Sequence, residues 1–492
     1  MTQVVRSAPT RTLVSYWNDA RLRVDQAKSS SVRPAPGTVS WRAALEDLLR
    51  VGYGAQAQSR FVGGAWEQIR WRTTPSAGAL YPFEVVASVV GEGSYLWEVD
   101  AGRLVPCDLA PLTRDELARA GFVTPPGQRL EALLVLVARP WLSMKKYRQR
   151  GYAYTHLDIG HTTTNLAMYT AALGLTPTLH LRFSRLSLAE HLKLEGLCRE
   201  PMAALSFARP EGAADSPAGW LAAENGRTVA GLELPEPPEI VNWESLKGIL
   251  SFDSPLAPPC APASVPLVLD PAEAAAAVLP LPDGRPPLTA PTEWRTAILG
   301  RRSAKGFRAA PLTIAQVGEL LGVLRAEGVP DDCSAAGSAR LGVRLVARNV
   351  DGLSGVYSYA PRSHALHCID PQSDDHLPAC MQQEVSRDVA ALVIFHAPLC
   401  RLVDEQGYSA FAEPLFHASQ LGHRLHLAAA RLSGVGITCI GGFDGERCAA
   451  LARLDGDDEA VYVLLLGVPD DNAVKRDRLN VAWSHGFTTA EG

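Results

Sequence analysis

The chain has 492 residues, above the roughly 250–300 at which a single hydrophobic core stops growing, so two domains of comparable size are expected. With 47% hydrophobic and 20% charged residues it is composed like an ordinary globular protein, and its net charge of −5 offers nucleic acid no basic face. The opening MTQVVRSAPT lacks the apolar stretch of a secretory signal, and the apolar runs Ala132–Ala138 and Ala460–Val468 are too short to cross a bilayer. They read as buried strands of a cytoplasmic protein, with no membrane role.

In chain order, Arg33 precedes an amphipathic segment, SWRAALEDLLRVGYG, whose Leu49 lies sixteen positions on, a loop feeding a helix. The small-residue turn Pro75-Ser76-Ala77-Gly78 then leads into a strand, EVVASVV, with Glu84 six positions after the glycine. A hairpin pattern, SYLWEVDAGRLVP, and a buried strand ending in proline, ALLVLVARP, follow. A long helix is expected to end at Gly174, with Phe183 nine positions on.

Between Arg209 and Trp294 the chain turns rich in Pro, Ala and Glu, which reads as a long connector, extended where prolines cluster. Beyond it the same series recurs. Lys305 precedes TIAQVGELLGVL with Leu321 sixteen positions on, and Ser334-Ala335-Ala336-Gly337 precedes VRLVARNV with Val343 six after the glycine. Then come GVYSYAPRSHALHCI, the strand AALVIFHAP, and a helix ending at Gly434 with Phe443 nine positions on. The repeat predicts an α+β domain made twice and packed on itself. Its expected boundaries are an N-terminal segment 1–24, a first domain 25–210, a connector 211–289 and a second domain 290–492.

Nine scattered cysteines without a Cys-x-x-Cys read as free thiols, mostly buried, and as no zinc site. Chemistry concentrates elsewhere. Arg301, Ser303 and Lys305 place two cations and a hydroxyl in one loop that can hold an anion or an electron-rich carbonyl edge. The turn Thr74–Pro82 lets backbone amides approach a flat ligand. In Lys145–Tyr152 cations alternate with aromatics, and an ammonium beside a tyrosine favours its ionised form, a usable base.

Together these segments resemble the flavin-dependent SagB/McbC-type azoline dehydrogenases, a branch of the nitroreductase family. The string Pro75 to Pro82 is the most specific match, joined by Lys146-Tyr147, by Arg301/Ser303/Lys305 and by Gly441-Gly442-Phe443-Asp444. The resemblance covers about 25–210 and 290–480 and leaves the connector unexplained. It implies two tandem nitroreductase-like domains forming an intrachain pseudo-dimer, with FMN at the interface of the two halves.

By the same resemblance, Arg301, Ser303 and Lys305 grip the phosphate and pyrimidine edge, with Arg476 and Arg478 also on the phosphate. Pro75, Ser76 and Gly78 supply the opposite wall, the amide near Gly441-Gly442 points at the flavin, and Lys146 and Tyr147 are catalytic. These matches form two walls of one site. The opposite combination has Ser29 for the expected arginine, although Ser31 and Arg33 survive. It also has Ala335 for the serine, Leu181-Arg182 for the glycines and no Lys-Tyr in Leu402–Tyr408, so one FMN per chain is expected.

The implied reaction oxidises a thiazoline or oxazoline of a ribosomally made peptide to the thiazole or oxazole, with O2 reoxidising the flavin. The implied partners are an azoline-containing precursor peptide and a cyclodehydratase, the fused chain being a monomer or a homodimer of pseudo-dimers. The alternatives are NAD(P)H-dependent nitro or quinone reduction, another flavin-dependent peptide oxidation, or a non-catalytic scaffold of a cyclodehydratase complex.

Overall fold

The computed structural model describes residues 41–62, 65–107, 109, 111–122, 126–172, 176–194, 199–210, 277–285, 288, 290–325, 340–406, 408–471 and 473, with short pieces at 23–25, 230–233, 267–269 and 271. The first half runs α1 (Trp41–Gly52), the hairpin β1 (Ala55–Val62) and β2 (Ala65–Arg72), then β3 (Phe83–Val89), β4 (Gly93–Glu98), β5 (Arg103–Pro106) and β6 (Gln128–Ala138). It continues with α2 (Pro140–Tyr147), the long α3 (Arg150–Ala172), β7 (Thr176–His180) and β8 (Glu200–Pro210). The second half runs β9 (Val278–Pro280), α4 (Pro291–Gly300), β10 (Phe307–Arg308), α5 (Ile314–Gly322), β11 (Arg340–Val350), β12 (Leu353–Ala360) and β13 (Ala365–Asp370). It closes with β14 (Ala391–Ala397), α6 (Leu399–Gln406), α7 (Ala412–Ala429), β15 (Gly436–Ile440) and β16 (Glu459–Pro469).

The two halves share one topology. The first sheet has the order β5-β4-β3-β6-β8-β7, and the second has β13-β12-β11-β14-β16 with β15 beside β16. Even the register repeats: Glu84 pairs with Val137, and Val343 with Phe395. Those are the positions six residues after each glycine and three before each strand-ending proline. Both expected hairpins form, β4 with β5 and β12 with β13.

The unbroken apolar runs follow from burial on both sheet faces, because successive strand residues point oppositely. In β6, Leu134 and Leu136 enter one core while Leu133, Val135 and Val137 enter another. β14 divides likewise, Val393 and Phe395 against Leu392 and Ile394. Helix α5 starts where Thr313 caps the Gln316 amide and Gln316 reaches back to Thr313, a reciprocal box that satisfies two end donors.

The central helices α3 and α7 pack on each other and are shared between the cores. Tyr154 and Leu157 of α3 lie in the second-half core, while Phe416 and Leu427 of α7 lie in the first-half core. Their crossing is close at Gly160, where a Cβ would stand 1.9 Å from Ser419 Oγ and 2.6 Å from the Phe416 carbonyl oxygen. The buried threonines of α3 bond their own helix, Thr155 to the Gly151 carbonyl at 3.0 Å and Thr164 to that of Gly160 at 2.8 Å.

Several expectations are refined. Helix α7 ends at Ala429 and reaches Gly434 (φ 73°) through turns, while Gly174 lies outside the described residues. Residues 278–280, inside the expected connector, pair with β13. Helix α4, expected in the second domain, buries Ala297 and Ile298 in the first-half core. The six described cysteines are free, but only Cys380 and Cys448 are buried and Cys400 is exposed.

Candidate active site at the seam

The Pro-Ser turn follows β2 and is backbone-strained. Gly78 has φ 63°, and the non-glycines Ala79 and Tyr81 have φ 57° and 47°, a left-handed region that costs L-residues energy and concentrates at functional sites. Three bonds hold it: Ala79 N–H donates to the Ser76 carbonyl at 3.0 Å, Leu80 N–H to that of Ala77 at 3.3 Å, and Tyr81 N–H to Ser76 Oγ at 2.8 Å. Tyr81 itself is buried, its hydroxyl accepting from Arg72 N–H at 3.2 Å while the Arg72 guanidinium lies over its ring.

Lys146 and Tyr147 occupy the last turn of α2 rather than a loop, and the chain leaves that helix through Arg148 at φ 54°. Their place is set by Gly151 at the start of α3, where a Cβ would stand 2.3 Å from the Met144 nitrogen. The pair meets the Pro-Ser turn. A Cβ on Gly78 would lie 2.5 Å from the Tyr147 hydroxyl and 3.0 Å from Lys146 Nζ, so glycine is the residue that leaves room for both. Lys146 Nζ stands 5.4 Å from the Tyr147 ring centroid. Tyr154, one α3 turn on, packs edge-on against Tyr147 at 5.0 Å.

The second half closes the site. Helix α4 delivers Arg301, buried, across the seam. Its Nε donates to the Thr73 carbonyl at 2.7 Å, its Nη2 to that of Arg72 at 3.2 Å and its Nη1 to Ser303 Oγ at 3.2 Å. The Arg301–Lys305 loop runs beside β15, with Ala304 N–H donating to the Ile437 carbonyl at 2.9 Å. Gly441 and Gly442 follow that strand. A Cβ on Gly441 would stand 2.7 Å from the Tyr154 ring, the Gly441 carbonyl accepts from Phe443 N–H at 3.1 Å, and the Gln383 side-chain amide donates to the Gly442 carbonyl. The structure thus brings together Pro75, Ser76, Gly78, Lys146, Tyr147, Arg301, Ser303, Lys305, Gly441 and Gly442. Arg476 and Arg478 lie outside the described residues.

Several site residues escape sequence reasoning. Asp158 of α3, buried, accepts from Ser76 Oγ–H and, at 3.2 Å, from Ala77 N–H. Burial pushes its carboxyl up to about 8, against the lowering effect of those two donors. The signal available in the sequence was an acid without a cation three or four positions away on its helix: the neighbours are Tyr154, Thr155, His161 and Thr162.

Behind Arg301 lies a buried knot. His161 Nδ1 faces His423 Nδ1 at 3.2 Å and its Nε2 pairs with the Tyr462 hydroxyl at 2.8 Å, while His426 Nε2 meets Cys439 Sγ at 3.1 Å. Burial, with Arg301 adding to it, holds His161 down to about 3. His423 and His426 are lowered mainly by burial as well. Burial pushes Cys439 up to about 12. The knot is therefore neutral at ordinary pH.

The counterpart of the glycine pair, Leu181-Arg182, is filled differently. Arg182 grips Glu413 of α7 with two hydrogen bonds, Nε to Oε1 and Nη2 to Oε2, the second at 3.0 Å. No acidic residue stands in the α7 segment His417–Leu421 to play the part of Asp158.

Residues 298–468 match the family model described as the Nitroreductase family. That match lies within the second half of the chain. A Methanocaldococcus jannaschii protein provisionally named a nitroreductase is 31% identical over 117 residues, which is 23% of this chain. The alignment spans 59% of that relative's length. The crystal structure of a provisionally named nitroreductase from Anabaena variabilis matches with a TM-score of 0.70 at 21% identity, covering 94% of this chain and 97% of that one. The nitroreductase fold therefore extends over both halves. The Escherichia coli microcin synthetase McbBCD complex with truncated pro-MccB17 bound also matches, at 20% identity over 42% of this chain and 83% of that one, with a TM-score of 0.29. Among the described residues no helix is long and apolar enough to cross a membrane.

Proposed function

We propose that this chain is a cytoplasmic FMN-dependent dehydrogenase with one composite site at the seam, oxidising thiazoline or oxazoline rings of a precursor peptide made by a cyclodehydratase. The observation that carries the reading is convergence. Arg301 of the second half bonds the Thr73 carbonyl, while five residues further along the same segment Gly78 seats Tyr147 and Lys146 of the first.

The residues present fit a flavin mononucleotide. The loop offers Ser303 and Lys305 to a phosphate or a carbonyl-rich ring edge, and the opposite wall is a glycine turn without side-chain bulk. Thr73 Oγ1 and His426 Nδ1, two buried polar atoms close to Arg301, have no hydrogen-bond partner among the described residues. In this reading Pro75, Ser76 and Gly78 form one wall, Ser303, Lys305 and the Gly441-Gly442 turn form the other, and Arg301 clamps them together.

Bound FMN would supply a two-electron acceptor for hydride. Oxidation of an azoline to an azole removes two hydrogens, one with its electron pair and one as a proton. Tyr147 as phenolate would take the proton and become the hydroxyl, and the Lys146 ammonium beside it favours that phenolate and orients it, assistance typically worth ~10²–10⁴ in rate. The Arg182–Glu413 pair stands at the counterpart of the glycine pair, and the motifs missing from the opposite combination leave one site per chain.

Tyr147→Phe tests the assignment, assayed as the mass loss of two hydrogens per ring in a synthetic thiazoline peptide. Loss of turnover with retained yellow colour supports it, and full activity refutes it. Rapid bleaching of bound flavin by NAD(P)H would instead mark a reductase, and absence of flavin after gentle purification would mark a scaffold.

A further inference from the structure

Asp158 has a geometry that cofactor binding alone does not require. Its side chain crosses from α3 into the Pro-Ser turn and takes hold at two adjacent residues, Ser76 through the hydroxyl and Ala77 through the amide. Ser76 Oγ passes that hold onward by accepting Tyr81 N–H at 2.8 Å. The bracketed residues, 76 to 81, include the three left-handed positions Gly78, Ala79 and Tyr81. A turn so strained relaxes unless its surroundings over-determine it, and Asp158 is the side chain bonded to its N-terminal edge.

The turn in turn shapes the space for the proposed base. Gly78 lies at its centre, with the Tyr147 hydroxyl and Lys146 Nζ within 2.5 and 3.0 Å of where a side chain would begin. A shift of the turn by a fraction of an ångström moves the wall against which both groups rest. Proton transfer is sensitive to such shifts, since a misplacement of about 1 Å can cost ~10²-fold.

We propose that Asp158 is the positioning residue of the Lys146–Tyr147 pair, acting through Ser76, Ala77 and Gly78; this rests on the reading of Tyr147 as the base. The burial of the carboxyl supports a fixed, dry connection. No cation contributes to its perturbation, which comes from burial and the two hydrogen bonds. The titratable groups that feel its charge are Tyr53 beside the turn, Cys439 on β15 and Tyr462 on β16, all raised mainly by their own burial. Asp158 touches none of the reacting atoms in this scheme.

The test uses the full chain labelled with 3-fluorotyrosine, the Tyr147 resonance being assigned by its disappearance in Tyr147→Phe. In Asp158→Asn, and in Ser76→Ala should the first variant fold poorly, that resonance is expected to move. With a synthetic thiazoline peptide, kcat is expected to fall about tenfold with KM within about twofold. Combining Asp158→Asn with Tyr147→Phe should add no further loss. An unmoved resonance with unchanged kcat, or losses that multiply in the double variant, overturns the proposal. A fully active Tyr147→Phe would instead sink the base assignment, and the resonance alone would then decide whether Asp158 holds Tyr147 in place.

Discussion

Arg301 offers the sharpest energetic test of a seam built from both halves. Its guanidinium is buried and donates to two carbonyls of the opposite half, Thr73 at 2.7 Å and Arg72 at 3.2 Å. Replacement by Met keeps much of the volume but leaves both acceptors without this donor. A hydrogen bond to a charged group contributes ~1.5–3 kcal/mol, so two give roughly 3–6 kcal/mol. Removing a buried cation also returns part of its desolvation cost, which brings the expected net loss to about 2–4 kcal/mol. Lys keeps the charge but lacks the fork that spans two carbonyls, so Arg301→Lys should fall between wild type and Met. Urea unfolding followed by tryptophan fluorescence, without added flavin, reads the order wild type, Lys, Met in transition midpoint. Released flavin per chain should fall in the same order. A Met variant that unfolds with the wild type, or a Lys variant indistinguishable from it, would refute the clamp.

Further outcomes follow from other contacts. The Asp158 carboxyl rises from 3.8 to about 8 on folding, so its favourable contribution is complete below pH ~4, shrinks as pH rises, and is gone above pH ~8. Asp158→Asn should therefore gain stability relative to wild type between those pH values, by at most about 6 kcal/mol at 1.36 kcal/mol per pH unit, and then level off; a difference independent of pH would contradict the burial. Glu413→Ala strands Arg182 and should cost roughly 2–4 kcal/mol in urea unfolding while flavin stoichiometry stays unchanged; a second flavin per chain would show that the pair, rather than the missing motifs, blocks the counterpart site. Gly160→Ala drives a methyl into Ser419 and the Phe416 carbonyl, so it should cost ~1–3 kcal/mol or more by forcing α3 and α7 apart, and an unchanged melting temperature would mean the helices do not cross so closely.

Much of the architecture is legible in the sequence because it is local and repeated. The offset of six residues from Gly78 to Glu84 and from Gly337 to Val343 predicts equivalent strands, and both residues pair with matching partners, Val137 and Phe395. The buried runs at 132–138 and 391–397 are strands because each faces two cores. The convergence of the Pro-Ser turn, Lys146-Tyr147 and the Arg301 loop follows from the complementary distribution of motifs.

What the sequence conceals depends on long-range geometry. Asp158 looks like one more helix residue, since its partners lie about eighty positions away at Ser76 and Ala77. His161, His423 and His426 are spread over two helices in different halves, and no spacing rule joins them. Arg301 reads as a ligand-gripping cation because its loop is polar. Its protein acceptors appear only once α4 is seen to pack in the first-half core, a placement that depends on tertiary packing rather than on helix periodicity.

The central claim is one composite flavin site per chain. Absorption of the purified full-length protein, with released flavin identified and counted against protein, tests it most directly. About one FMN per chain is the result this account predicts; two per chain would show the counterpart site to be alive, and none would contradict a flavin enzyme altogether.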